Sequence, residues 1–92
     1  MQIKELQKYI KDKDYKPELK DKYFLKLIEE VGELSEAIRK NLRMENNSIK
    51  GTIEEELYDV LYYICALANI YDINLEECHV LEEKINKLKW GK

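Results

Sequence analysis

Apolar residues recur along this chain at intervals of three and four, the period of an amphipathic helix, in four stretches separated by polar breaks. The first covers about Ile3 to Lys11, with Ile3, Leu6 and Ile10 on one face and Tyr9 beside them. A charged turn from Asp12 to Lys16 leads to Pro17, which the first turn of a helix tolerates. The second helix is predicted from about Glu18 to Met44, with Phe24, Leu27, Ile28, Val31, Leu34, Ile38 and Leu42 as its apolar stripe. A polar loop, Glu45 to Gly51, follows, with Asn46, Asn47 and Ser48 as turn formers. The third helix opens on a capping box, Thr52 with Glu55, and continues through Ile53, Leu57, Val60, Leu61, Ile64, Leu67 and Ala68 to Tyr71. A second box, Asn74 with Glu77, opens the fourth, which uses Leu75, Cys78, Leu81, Ile85 and Leu88 and ends near Trp90 and Gly91.

The fold class is therefore all-α, a four-helix bundle in which residues 1–92 form one domain. Between Val60 and Ala68 every residue is apolar or Tyr. A helix that is apolar nearly all round is buried on most sides, and three companions in so short a chain hardly cover it. The pattern predicts a homodimer or higher oligomer whose interface includes this segment.

Composition narrows the function. Charged residues make up 38% of the chain and hydrophobic ones 45%, with three Gly and one Pro, a globular balance with few breakers. A net charge of −3 argues against a nucleic-acid partner, which favours a basic face. The uncharged run from Val60 to Tyr71 is too short to span a bilayer, and the polar start, Met1 to Glu5, has no secretory character. Two cysteines make no disulfide framework, and Cys65, inside an apolar run, reads as a small buried hydrophobe. A cytoplasmic location is expected, without membrane contact.

Candidate chemistry lies in two acidic patterns, Glu29-Glu30-Val31-Gly32-Glu33 and Glu55-Glu56-Leu57-Tyr58-Asp59. Glu30 and Glu33 are three apart, as are Glu56 and Asp59, so each pair shares a helix face. Glu30 sits on the shoulder of the apolar stripe, about 90° round, with Glu33 about 60° beyond; Glu56 and Asp59 are placed alike on the third helix. Side by side, the helices would bring four carboxylates together, and like charges that close repel unless a cation lies among them. Oxygen donors without nearby His or Cys suit a hard divalent ion, above all Mg²⁺, with Mn²⁺ second. Lys26 and Ala37 flank the acidic strip, the lysine within reach of a phosphate. Gly32 inside a helix costs about 1 kcal/mol relative to Ala, which a close approach of ligand or backbone would explain. Other metal chemistry fits less well: His79 is the only histidine and has no Glu three residues before it, so a di-iron bundle is not indicated. Cys78-His79 alone cannot make a zinc site. No Gly-rich phosphate loop occurs.

The two acidic motifs with their flanks, Leu27 to Ile38 and Glu55 to Tyr63, resemble the signature of the MazG-type all-α nucleoside triphosphate pyrophosphohydrolases. The C-terminal Asn86-Lys87-Leu88-Lys89-Trp90 is similar to the tail of that family, and the likeness runs from about Lys22 to Trp90. The tail departs from the pattern in two places: Lys89 stands where Arg is frequent and Gly91 where Pro is. The resemblance implies a MazG-like bundle, Mg²⁺ held by Glu30, Glu33, Glu56 and Asp59, and cleavage of a nucleoside triphosphate between its α- and β-phosphates to give a monophosphate and pyrophosphate. It also implies dimers or tetramers with sites at subunit interfaces. Within that frame, Glu29, adjacent to the ligands, is the candidate for orienting or deprotonating the attacking water, with Glu33 its companion in catalysis. Lys84 and Lys89 would contact phosphates, and Asn86 and Trp90 would line the base pocket. Two other readings stand beside this one: a non-catalytic helical dimer acting as a regulatory subunit, and the same chemistry on a non-nucleotide, phosphoribosyl-type diphosphate.

Overall fold

In a computed structural model, which describes residues 1–91, the chain forms four α-helices: α1 (Ile3–Lys13), α2 (Lys20–Arg39), α3 (Ile53–Ile70) and α4 (Leu75–Trp90). A single 3-10 turn, Pro17–Leu19, leads into α2. No helix among the described residues is long and apolar enough to cross a membrane. The class is all-α, as the periodicity predicts.

α2 and α3 run antiparallel. Leu42 accepts a backbone bond from Ile53 at one end of the pair, and Lys26 of α2 lies beside Tyr63 of α3 further along. α1 packs on α3, and Leu6 and Ile10 of α1, Tyr23 of α2 and Cys65 and Ala66 of α3 close the core among the three helices. The core is small: Ile10 and Cys65 are its largest fully buried side chains.

α2 ends five residues before the Met44 predicted from its apolar spacing. Asn41 takes a left-handed conformation, φ 52°. The Asn41 N–H bonds to Ile38 O, and the Leu42 N–H to Ala37 O. This pair of bonds satisfies the last carbonyls and stops the helix. Asp72, φ 55°, ends α3 in the same way. Asn46 and Asn47 both sit at positive φ in the tight turn closed by Ser48 N–H to Glu45 O. Thr52 caps α3 as expected, accepting from the Glu55 N–H, while the Glu55 carboxylate reaches back to Gly51 rather than to Thr52.

The face of α2 that meets α3 is not the predicted stripe. Tyr23, Glu30 and Ala37 are buried, whereas Phe24, Ile28 and Ile38 are more than half exposed. The same holds for Leu81, Ile85 and Leu88 of α4. Of Val60 to Ala68, placed at an interface by the sequence, only Ile64 is exposed, because α1 and α2 take up the rest. The surplus apolar surface thus lies mainly on α2 and α4. The radius of gyration, 15.5 Å, exceeds the roughly 12 Å of a compact chain of this length.

A buried polar lock joins α1 to the α3–α4 turn. Gln7 Nε2 donates to Asn69 Oδ1 and to Ile73 O, its Oε1 accepts from the Leu75 N–H, and Asn69 Nδ2 donates to Gln7 O. Asn69→Ala removes both bonds between Asn69 and Gln7, leaving one buried N–H of the Gln7 amide unpaired, and is expected to lower unfolding stability by about 1–3 kcal/mol in a urea titration. Gly32 behaves in the opposite sense. A Cβ built there meets nothing within 4 Å, so no close approach inside the chain explains the glycine. Gly32→Ala should therefore stabilise the protein by roughly 0.5–1 kcal/mol. A loss in the same titration would place another molecule against that spot.

Candidate functional site

The first turn of α3 carries Glu54, Glu55 and Glu56, where the positive end of the helix dipole favours acids. Two of them are taken locally. Glu54 accepts from Arg43 and from the Met44 N–H, and Glu55 from the Gly51 N–H. Glu56 and Asp59, one turn on, turn instead toward α2, where Glu30 meets them. One carboxylate oxygen each from Glu30, Glu56 and Asp59 lies within 4.8 Å of the others, and a second such set, Glu29, Glu30 and Glu33, shares Glu30. Glu30 joins the two sets, with Glu29 and Glu33 beside it on α2 and Glu56 and Asp59 on α3.

Glu30 and Glu56 are 8% and 7% exposed. Glu30 Oε2 and Glu56 Oε2 are buried with no hydrogen-bond partner, and no ion pair among the described residues involves Glu30, Glu33, Glu56 or Asp59. Burial first, then the Glu33 carboxyl, then Glu56 and Asp59, push Glu30 up to about 7. Glu56 and Asp59 are raised in the same direction, again chiefly by burial; Lys50 offsets a part of this at Asp59. Buried carboxylates with bare lone pairs and no ion-pair partner are an expensive arrangement in a metal-free protein. The donor set, all carboxylate oxygen, fits a hard divalent cation and lacks the His or thiolate that a softer metal prefers.

Around the cluster lie groups of two kinds. Lys26 pairs with Glu29 at 3.5 Å, both partly exposed. Tyr58, Tyr62, Tyr63 and Lys13 line a cleft of about 360 Å³ that also includes Glu30 and Asp59. Lys13 comes from α1, and its Nζ stands over the rings of Tyr9 and Tyr62. Asp14, next to it, accepts from the hydroxyls of both Tyr23 and Tyr62, tying α1 to α2 and α3 beside the site. Sequence spacing singled out neither Lys13 nor Asp14: their shared partner on α3, Tyr62, is far away in the chain, and a charged stretch at the end of α1 carries no local sign of that contact.

The tail residues are not brought to the carboxylates. Lys84, Lys89 and Trp90 are exposed on α4 and Asn86 is half-buried; none of the four lines the clefts beside the cluster. Lys89 Nζ lies over the Trp90 ring instead. α4 leans on α1, where the Lys4 N–H donates to Glu76. Glu36 pairs with Arg39 and Lys40 in solvent, and His79 is exposed, as the sequence suggests.

Comparison with known proteins agrees with this architecture. Two crystal structures of iMazG from Vibrio DAT 722 superpose on the chain. One, with an N-terminal tag, gives a TM-score of 0.92 at 54% identity over all of both chains. The other, with a C-terminal tag, gives 0.90 at 57% identity over 95% of this chain and 99% of that one. The uncharacterised protein YpjD of Bacillus subtilis (strain 168) is 42% identical over 59 residues, 59% of this chain and 51% of that protein, so the chain spans about half the length of this curated relative. Residues 18–90 match the MazG nucleotide pyrophosphohydrolase domain. With the helical order and the paired acidic motifs in place, the chain belongs to the MazG nucleotide pyrophosphohydrolase family.

Proposed function

We propose that this protein hydrolyses nucleoside triphosphates to the monophosphate and pyrophosphate, using Mg²⁺ held by Glu30, Glu33, Glu56 and Asp59. The observation that carries the reading is the pair of buried, unpartnered oxygens, Glu30 Oε2 and Glu56 Oε2, on carboxylates that form no ion pair among the described residues. When bound, Mg²⁺, or Mn²⁺ in its place, supplies neutralisation of phosphate charge and lowers the pKa of a coordinated water. The chain does the rest. Glu30 and Glu56, fixed between two packed helices, present their oxygens with little conformational freedom to lose. Glu29, exposed and held only by Lys26, is free to accept a proton from a water beside the cluster, with Glu33 orienting the same water. Lys26 stands one turn from Glu30, placed to meet a phosphate oxygen.

Lys84, Asn86, Lys89 and Trp90 enter this scheme from a second copy of the chain. The accessible surface is 7112 Å², against about 5,700 Å² expected for a folded monomer of this mass, and the excess includes the apolar faces of α2 and α4. A homodimer or homotetramer that covers those faces would bring the α4 of one subunit toward the carboxylates of another. Sedimentation is expected to show a dimer or larger.

The test is incubation of the purified protein with a panel of ribo- and deoxynucleoside triphosphates and Mg²⁺, with detection of pyrophosphate. Stoichiometric monophosphate and pyrophosphate are expected from at least one nucleotide. Absence of turnover on every nucleotide, with no thermal shift on adding Mg²⁺, would instead indicate a non-catalytic helical subunit.

A further inference from the structure

Two clefts open on either side of Tyr63. The larger, about 360 Å³, takes Glu30 and Asp59 into its wall and is otherwise aromatic apart from Lys13. The smaller, about 140 Å³, lies between the α1–α2 turn and α3, and three lysines line it, Lys16, Lys22 and Lys26, with Tyr23, Tyr63 and Asp14. Lys26 precedes Glu30 by four residues and Tyr63 follows Asp59 by four. On antiparallel helices both steps lead the same way, so the basic cleft sits one helical turn, about 6 Å, along from the carboxylates.

The charges of the two regions are opposite. The small cleft sets three ammonium groups against one carboxylate, Asp14, whose oxygens already accept from the Tyr23 and Tyr62 hydroxyls. Its volume falls well below the roughly 300–1,000 Å³ of ordinary small-molecule pockets. It is too small for a nucleobase and suits phosphate groups, for which lysine is a compact point-charge partner. The large cleft falls within that range and offers aromatic faces. The Lys26–Glu29 pair is exposed on both sides, and pairs of that kind hold weakly, so a phosphate can take the lysine over.

We infer that the Lys16–Lys22–Lys26 cleft seats the pyrophosphate end of the substrate, and that the nucleoside lies across Tyr63 from it, in the larger cleft against Tyr58 and Tyr62. This rests on the pyrophosphohydrolase reading and adds the polarity with which the nucleotide lies in the site: leaving pyrophosphate toward the α1–α2 turn, base toward the tyrosines.

Equilibrium binding separates the two ends. Calorimetric titration of the full chain with inorganic pyrophosphate in Mg²⁺, and separately with AMP, CMP, GMP and UMP, is compared between the parent protein and Lys16→Ala/Lys22→Ala. Both lysines are exposed, and the unfolding midpoint is recorded alongside; should the double variant unfold, Lys22→Gln carries the same comparison. Pyrophosphate affinity is expected to fall at least about tenfold, with the affinity for the best-bound monophosphate unchanged within about twofold. Pyrophosphate binding that is unaltered, that is missing from the parent protein, or that falls in step with monophosphate binding overturns the inference. None of these readouts needs turnover, so a protein that binds pyrophosphate through the lysines yet hydrolyses no nucleotide would sink the proposed activity while leaving the cleft assignment standing.

Discussion

Glu56→Gln is expected to lower pyrophosphate release by at least about 100-fold and, in EDTA at pH 8, to raise the thermal unfolding midpoint by about 5 °C. The two effects have one origin. Glu56 is 7% exposed, with one oxygen unpartnered, beside Glu30 and Asp59. Its ionised form, raised in pKa by burial, is unfavourable where no cation lies, and a neutral amide of nearly the same shape removes that burden. It can also donate to Glu30. A gain of about 1 kcal/mol moves the midpoint of a domain this size by roughly 4–8 °C. Mg²⁺, which stabilises the parent protein by binding only the folded state, should shift the variant's midpoint much less. Glu33→Gln is the internal comparison: Glu33 is exposed, so turnover should fall without the metal-free gain. If Glu56→Gln lost activity and also unfolded at lower temperature in EDTA, the residue would be a structural support, and the picture of a charge-strained cluster would be wrong.

The acidic pairs could be located from sequence because their geometry is local. Three residues of helix put Glu30 with Glu33 and Glu56 with Asp59 whatever surrounds them, and antiparallel packing of two adjacent helices did the rest. The inner face of α2 was not legible for a related reason. Apolar spacing marks faces that leave water without saying what covers them, and the strongest stripe on α2, with Phe24, Ile28 and Ile38, turns away from α3. The shoulder bearing Tyr23, Glu30 and Ala37 packs inside the chain instead, which is why a charged residue there is buried at all. The end of α2 was missed because Asn41 stops it by adopting positive φ, with no Gly or Pro to announce the change. Asp14 reaches Tyr62 across 48 residues of chain and Lys13 lies over the same ring, and no spacing rule reaches that far. The tail motif was recognisable as a string, yet within one chain α4 leans on α1 and its tail residues line neither cleft beside the carboxylates.

Stability of the metal-free protein is expected to fall as pH rises from about 5 to 8, and Mg²⁺ to reverse the trend. Glu30 is raised from an ordinary 4.5 to about 7 in the folded chain. A carboxyl raised on folding keeps its proton longer in the native state than in the unfolded one. Its favourable contribution is complete below the unfolded value and is lost as pH climbs through the folded one. Glu56 and Asp59 are raised too and act in the same sense. Glu36 and Glu54 are lowered by Arg39 and Arg43, so their contribution is lost only toward acid pH, outside this window. Tyr23, raised to about 12, titrates above it. A divalent ion must displace the protons that the cluster holds, so its apparent affinity should rise about tenfold per pH unit for each proton displaced, and level off above roughly pH 7. Urea unfolding between pH 5 and 8.5, in EDTA and at fixed Mg²⁺, reads both quantities at once, since the gap between the two curves is the stabilisation by bound ion and grows with its affinity at each pH. A gap that stays constant across the range, or an EDTA curve that rises with pH, would mean that the carboxylates are already ionised and relaxed without metal, and that the unpartnered oxygens of Glu30 and Glu56 are not where the ion binds.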